Sequence, residues 1–259
     1  MFKGSVELVA QIKGNGLTFP RFDFNPHEPG VDKVEMEGLD GDVIRSTVHL
    51  TTVHSREAGI SLAKEVNTAA LNRIAFCENI AIENARVERD DFSSLEVQPG
   101  AHVLGAGTGW YSLTGGDVKF TVGRSPERLK AELERATPPG ERNYGLFRSA
   151  RQSMGPVEEF MHLYNILLML HNDDQPKVDA FIIAEDPSVP QTQQPPKPLR
   201  GQRPPKAPRG QRMETVYTRL RNELAHQRVG VNLDNTKVEM VHRLGDLRML
   251  TKRAIELHP

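Results

Sequence analysis

The chain has 259 residues, of which 37% are hydrophobic, and a formal net charge of −1. This length suits one large domain or two smaller ones with separate hydrophobic cores. No apolar run approaches the roughly 20 residues of a transmembrane helix, and the single cysteine excludes an internal disulfide. We therefore expect a cytoplasmic protein without a membrane segment.

Strands are predicted before residue 123, around a single long helix. Apolar and polar residues alternate in two segments that flank a turn-rich stretch, which we expect to be loop with short extended pieces. The period then changes to three and four residues over about 55–79, which predicts an amphipathic helix. The strands are predicted at 5–12, 43–53, 84–88 and 118–122. Residues 1–123 are therefore predicted to form a β-rich domain with one long helix.

Helices are predicted from residue 125 onward. Ser125 and Pro126 form a helix start, and Pro156 opens a helix that is apolar on nearly all sides. Residues 177–185 are either helical or extended. The remaining helices are predicted at 128–136, 144–153, 157–170, 213–226 and from about 234 to 257. The predicted fold class is thus α+β, with an all-α helical bundle over residues 124–259.

A proline-rich basic segment at 187–212 interrupts the helical part. It contains two consecutive nine-residue repeats, 195–203 and 204–212, that agree at seven positions. With few apolar side chains it should be an extended, mobile loop. It is either a duplicated insertion without a role or an arm that binds RNA phosphates. The candidate phosphate-binding residues are Lys197, Arg200, Arg203, Lys206, Arg209 and Arg212.

The charge distribution agrees with an anion-binding C-terminal part. Residues 1–186 contain 19 Lys and Arg against 28 Asp and Glu, a net charge of −9, whereas residues 187–259 contain 14 against 6, a net charge of +8. A positive region on an acidic protein favours a polyanion or an acidic partner.

The helix predicted at 213–226 carries the candidate site. With its apolar stripe set toward the core, Asn222 and His226 lie one turn apart and roughly opposite the core, and Arg221 lies on the flank. Such residues are either ordinary solvated side chains or part of a site that a second surface completes. A two-fold homodimer would supply that surface.

The sequence Leu220-Arg-Asn-Glu-Leu-Ala-His226 resembles the Arg-Asn-x-x-x-His signature of HEPN domains, and the resemblance extends over about 145–257. It implies a dimeric helical bundle that cleaves RNA without metal or cofactor. His226 would transfer a proton, Arg221 would stabilise the phosphoryl oxygens, and Asn222 would orient His226 or bind phosphate.

The whole chain, through residues 52–59 and 214–226, is also similar to MauJ-type methylamine-utilisation proteins. This similarity implies the alternative function, a non-catalytic accessory protein whose N-terminal domain binds a ligand or partner. The segment Gly105–Gly109 lacks the third glycine of a dinucleotide fingerprint and the lysine of a P-loop. We expect a flexible turn there in preference to a nucleotide site.

Overall fold

A computed structural model of the chain describes residues 1–14, 16–95, 103–106, 121–135, 140–193, 212–226 and 231–258. Its internal contacts divide the chain into two compact units, Met1–Gln152 and Ser153–Pro259. The first unit extends beyond residue 123 because the two helices between 126 and 151 pack on it: the first contacts strand Gly16–Phe24, and the second contacts helix Arg56–Glu78.

The first unit is built on a mainly antiparallel sheet. The strands are β1 (Phe2–Lys13), β2 (Gly16–Phe24), β3 (Val31–Leu39), β4 (Val43–Val53), β5 (Ala81–Ile82), β6 (Arg86–Ser94), β7 (Val103–Ala106) and β8 (Thr121–Gly123). In the described residues they follow the order β7-β6-β1-β4-β3-β2-β8, and the short β5 pairs with the end of β1. One pairing, between β2 and β8, is parallel.

Alternation of side chains decides which face of this sheet is buried. Val6 and Leu8 of β1, like Ile44 and Val48 of β4, are at most 1% exposed, and the residues between them are mostly half-buried. Successive side chains of a strand point to opposite faces. The apolar alternation therefore produces one core face, as the sequence predicted for these two strands.

Helix α1 (Arg56–Glu78) supplies core residues to the same unit and confirms the helix predicted at about 55–79. It begins where the side chain of Ser55 accepts a hydrogen bond from the amide of Ala58 at 3.1 Å. It ends at Asn79, which has a left-handed φ of 54°. Its buried residues at three- and four-residue spacing contribute to the hydrophobic core.

The turn-rich stretch before residue 43 forms two full strands, β2 and β3, where the sequence predicted loop with short extended pieces. Its glycines and prolines suggested breaks, but Pro20 lies at an irregularity in the β2–β3 pairing, between the paired residues Phe19 and Phe22. The rings of Phe19 and Phe22 have centroids 5.6 Å apart. Pairing and aromatic contact thus outweigh the local turn propensity.

Two further helices complete the first unit, α2 (Pro126–Glu134) and α3 (Tyr144–Arg151), with a 3-10 turn at Glu141–Asn143. The predicted cap is confirmed, since the side chain of Ser125 accepts from the amide of Arg128 at 3.3 Å. In α3, Arg148 is 3% exposed and donates to the carbonyl oxygen of Ile82 at 2.9 Å. Burial lowers the pKa of Arg148 to about 10.

The second unit contains four helices and a small sheet among the residues described. The helices are α4 (Pro156–Leu170), α5 (Gln175–Glu185), α6 (Val216–His226) and α7 (Leu233–Leu257). Strands β9 (Gln191–Gln193) and β10 (Met213–Thr215) pair antiparallel. The start of α7 is capped by Asn232, whose side chain accepts from the amide of Asp234 at 3.0 Å.

The predicted fold class is wrong in its second half, because the C-terminal part is not an all-α bundle over 124–259. The helices α2 and α3 belong to the first unit, and β9 and β10 form a two-stranded sheet in the second. Residues 213–215, predicted as the first turn of a helix, pair with 191–193. Residues 191–193 lie within the segment 187–212 that was predicted as a mobile loop, so that prediction is wrong at its start. The pairing satisfies backbone groups of both strands, and a helical period cannot reveal it.

Candidate functional site

The junction between β10 and α6 positions the candidate site. Strand β10 leads directly into α6, and the amide of Val216 donates to the carbonyl oxygen of Pro190 at 2.9 Å. The junction therefore holds Glu214, which is 2% exposed, beside the first turns of α6. The sequence suggested no such neighbour, since residues 213–215 were expected to continue the helix.

Glu214, Asn222 and Arg221 form a chain of hydrogen bonds. Nδ2 of Asn222 donates to Oε2 of Glu214 at 3.2 Å, and Nη1 of Arg221 donates to Oδ1 of Asn222 at 3.1 Å. Asn222 is 3% exposed, so the expectation that it points away from the core is wrong. The reason is that Glu214 provides a buried polar partner on that side of the helix.

The acceptor of Arg221 distinguishes it from the neighbouring arginines. Arg219 donates to the carboxylates of Glu223 at 2.9 Å and Glu239 at 2.6 Å. Arg248 likewise pairs with a carboxylate. The acceptor of Arg221 is a neutral amide, and its buried Nε has no hydrogen-bond partner in the described part of the chain. This bond orients the guanidinium without neutralising its charge.

His226 is the last residue of α6 and is exposed. It follows Asn222 by four residues, which corresponds to a rise of about 6 Å along a helix. A basic residue at this end also interacts favourably with the helix dipole. The structure thus brings Arg221 and Asn222 into contact and places His226 one turn beyond them at the accessible end of the helix.

A second buried polar cluster lies beside the same junction. Oδ1 of Asp179 accepts from the amide of Thr215 at 3.0 Å and from the hydroxyls of Thr215 at 2.8 Å and Thr218 at 2.6 Å. The hydroxyls of Tyr164 and Thr218 are 2.6 Å apart. Sequence reasoning missed this cluster, although a carboxylate within the apolar run of α5 could have indicated it.

Burial perturbs the acid groups of this cluster. Asp179 is 5% exposed, and its Oδ2 is buried without a partner among the described residues. Desolvation raises the pKa of Asp179 above its ordinary value, and hydrogen bonds from Thr218 and Thr215 oppose the shift. Desolvation also raises the pKa of Tyr164. These groups are enclosed, which suits a role in fixing the β10–α6 junction.

The proposed phosphate-binding arm is mostly beyond the described residues. Lys197, Arg200, Arg203, Lys206 and Arg209 all lie in the segment 194–211, outside them. Arg212 is described and is exposed directly before β10. Its positive charge lowers the pKa of Asp179, against the effect of burial.

The remaining sequence candidates are not assembled into a site. Gly105 lies in β7, and residues 107–109 of the glycine-rich segment are outside the described residues. In the described ranges no three His, Cys, Asp or Glu side chains are grouped as a metal site would need. Likewise, no helix there combines the length and apolar character required to cross a bilayer.

Comparison of the chain with protein-family models, with curated proteins and with solved structures returns no match. Function must therefore be argued from the residues themselves.

Proposed function

We propose that the protein is an endoribonuclease in which Arg221 and His226 act on a phosphodiester of RNA. One observation carries the proposal. The guanidinium of Arg221 is held by the neutral amide of buried Asn222, one helical turn before the exposed imidazole of His226. A positioned cation beside an accessible proton carrier suits phosphoryl chemistry.

The proposed reaction uses the ribose 2′-hydroxyl as nucleophile. His226 takes the proton of that hydroxyl, since an imidazole can accept and release a proton near neutral pH. The 2′-oxygen forms a bond to phosphorus, and the bond from phosphorus to the 5′-oxygen breaks. The products are a 2′,3′-cyclic phosphate and a 5′-hydroxyl. Arg221 donates hydrogen bonds to the non-bridging oxygens as their charge increases.

Asn222 acts as a positioning residue in this scheme, because both ends of its amide are already bonded within the protein. The leaving 5′-oxygen needs a proton from an acid. We propose that His226 of a second copy supplies it across a two-fold axis, so that the active form is a homodimer. We also propose a cytoplasmic location, which the single cysteine led us to expect. The dimer was predicted from the helical-wheel position of the site residues and from the resemblance to HEPN domains.

The test is an RNA cleavage assay with the purified full chain. Single-stranded RNA is compared with the same sequence carrying 2′-O-methyl groups, with and without divalent cations. We expect cleavage of the unmodified RNA alone, with cyclic phosphate ends. His226→Ala should lower the rate by about 10²-fold or more, whereas His242→Ala, at an exposed histidine of α7, should leave it unchanged.

Two results would overturn the proposal: no cleavage by the unaltered protein under any of these conditions, or full activity of His226→Ala. Light scattering after gel filtration tests the dimer separately. If the protein is a strict monomer and still cleaves RNA, the proposed reaction stands and the site shared between two copies is excluded.

A second candidate is a non-catalytic accessory protein that binds a ligand or partner, as the similarity to MauJ-type proteins implies. The burial of Asn222 favours it, because the chain Glu214–Asn222–Arg221 is accounted for by fixing the β10–α6 junction. Under this alternative His226→Ala folds normally and no RNA is cleaved by either protein.

A further inference from the structure

A cavity of about 540 Å³ lies within the first unit. Helix α1, the segment after β2 and the end of α2 line it. The four most buried apolar residues of its lining are each at most 7% exposed, namely Phe24, Val66, Ala70 and Leu133. A volume of this size falls in the range of small-molecule sites, which are commonly apolar with a few polar groups.

The wall formed by α2 is fixed by Arg73 of α1. Nη1 of Arg73 donates to the carbonyl oxygens of Glu132 at 2.9 Å, Leu133 at 2.8 Å and Arg135 at 3.0 Å. Its Nε donates to Glu141 at 3.1 Å. The guanidinium thus satisfies the carbonyls at the end of α2 and neutralises Glu141.

The segment after β2 is held by hydrogen bonds to α2 and within its own turn. The amide of Asn25 donates to Oε1 of Glu134 at 3.2 Å, and the amide of His27 donates to the side chain of Asn25 at 2.7 Å. His27 has a left-handed φ of 56°. These bonds set the turn that carries Glu28, so the cavity is a preformed feature of the described residues.

Carboxylates outnumber cations around this cavity. Glu28, Glu65, Glu134 and Glu141 line it, against Arg73 and Arg135. Glu141 is paired with Arg73, and Glu134 lies 3.7 Å from Lys130. In the described ranges Glu28 and Glu65 have no cation within 4.0 Å, and both are exposed. The cavity therefore combines an apolar floor with two carboxylates that have no cationic partner among the residues that the structure describes.

We propose that this cavity binds a small organic ammonium ion. The apolar body of the ligand packs against Val66 and Leu133, and its ammonium group pairs with Glu28 and Glu65. The ring of Phe24 adds apolar contact area for the body of the ligand. An anionic ligand of the same shape is disfavoured, because it would have to approach the same carboxylates. This site is separate from Arg221 and His226 and does not depend on the proposed nuclease activity.

The experiment compares three probes with one apolar body and different charge: cyclohexylammonium, cyclohexanol and cyclohexanecarboxylate. Binding to the full chain at pH 7.5 is measured by isothermal titration calorimetry and by the shift in melting temperature. We expect saturable binding of the ammonium probe, at least about fivefold weaker binding of the alcohol, and no binding of the carboxylate. Added NaCl should weaken binding of the ammonium probe alone.

Variants locate the site. Glu28→Gln and Glu65→Gln should each weaken ammonium binding by about fivefold, whereas Glu7→Gln, at a half-buried glutamate of β1 that does not line the cavity, should leave it unchanged. Ala69→Trp should prevent binding by filling the cavity from its rim, because Ala69 is exposed and lines it. An unchanged melting temperature of each free variant shows that the fold is intact.

The proposal is overturned if cyclohexylammonium does not bind, if the alcohol binds equally well, or if the two glutamine variants bind as the unaltered protein does. RNA cleavage by the same preparations is recorded in parallel. A failure of the ammonium site therefore stays distinguishable from a failure of the nuclease proposal.

Discussion

The side-chain amide of Asn222 accepts a hydrogen bond from Nη1 of Arg221 at 3.1 Å while it donates to Glu214 at 3.2 Å. One neutral group therefore joins a buried carboxylate on β10 to a guanidinium on α6. Such an arrangement orients the guanidinium through a short, rigid side chain. It also makes Asn222 necessary for stability, whatever the chemistry of the site.

Asn222→Ala should destabilise the protein, because it removes one hydrogen-bond donor to buried Glu214 and the acceptor of Arg221. We expect the free energy of unfolding to fall by about 1–3 kcal/mol, measured by urea denaturation. Asn235→Ala on α7, an exposed position, should change it by less than about 0.5 kcal/mol. In the cleavage assay Asn222→Ala should lower kcat more than it raises KM, with the pH profile unchanged. Equal stability of the two variants would contradict the structural role.

Asp179→Ala should also be destabilising, since it leaves the amide of Thr215 and the hydroxyls of Thr215 and Thr218 without their acceptor. We expect the free energy of unfolding to fall by about 2–4 kcal/mol, because three buried hydrogen bonds to the carboxylate are lost. Asp179→Asn retains an acceptor oxygen and should lose less. If alanine and asparagine at this position give the same stability, the hydrogen bonds to Asp179 do not contribute as described.

The same carboxyl should make stability depend on pH. Burial raises the pKa of Asp179 above its ordinary value of 3.8, so the folded chain binds this proton more tightly than the unfolded chain. The stabilisation from protonated Asp179 is fully present below pH 3.8, and it is lost as the pH rises through the raised pKa of the folded state. Denaturation series over pH 4 to 7 should show a smaller decrease for Asp179→Asn than for the unaltered protein. Asp246→Asn, at an exposed site on α7, serves as the charge-matched control.

Asn67 of α1 is 1% exposed, and neither its Oδ1 nor its Nδ2 has a hydrogen-bond partner in the described part of the chain. A buried amide without partners destabilises the folded state by about 1–3 kcal/mol. Asn67→Leu, which has a similar branched shape, should therefore raise the free energy of unfolding by about 1 kcal/mol or more. Thermal melts of this variant and of Asn235→Leu would measure the difference. A lower melting temperature for Asn67→Leu would show that the amide has a partner or that the larger side chain does not fit.

His171 should reduce stability in acid. Its ring lies 5.1 Å from Phe181 and 4.8 Å from His258, between ring centroids. Burial lowers the pKa of His171 below its ordinary value of 6.5, with smaller effects from His258 and Lys177. The imidazole of His171 therefore binds a proton more readily in the unfolded chain than in the folded chain. The stabilisation by neutral His171 is present above pH 6.5 and is lost as the pH falls through the lowered pKa.

The measurement for His171 is the melting temperature at pH 7.5 and pH 5.5. The decrease between these pH values should be smaller for His171→Gln than for the unaltered protein. His242→Gln should retain the full decrease, because His242 is exposed on α7. An identical decrease in all three proteins would rule out His171 as a contributor.

Periodicity in the sequence was sufficient to predict the long, regular helices and strands. The two-residue alternation over 43–53 predicted β4, and the three- and four-residue spacing over about 55–79 predicted α1. The cap at Ser125 was also confirmed. These features depend on neighbours within a few residues along the chain, so local sequence contains the information.

The sequence did not predict β2 and β3 as full strands, because the prolines and glycines of that stretch indicated turns. It did not predict the β9–β10 pairing, because the partner strand is distant along the chain. Residues 213–215 have a helical pattern, but hydrogen bonds to 191–193 make them a strand. The predicted surroundings of Asn222 were wrong because its partner also lies outside the helix. A helical wheel placed it opposite the core, yet Glu214 on β10 offers a buried partner.

The sequence by itself thus determined the main helices, the alternating core strands and the identity of Arg221, Asn222 and His226 as candidates. Only the tertiary structure decided which of them are buried, since burial of a polar side chain depends on partners that the fold brings into hydrogen-bonding distance. The tertiary structure also produced the cavity beside Phe24, Val66 and Leu133, because its lining comes from parts of the chain that are far apart in sequence.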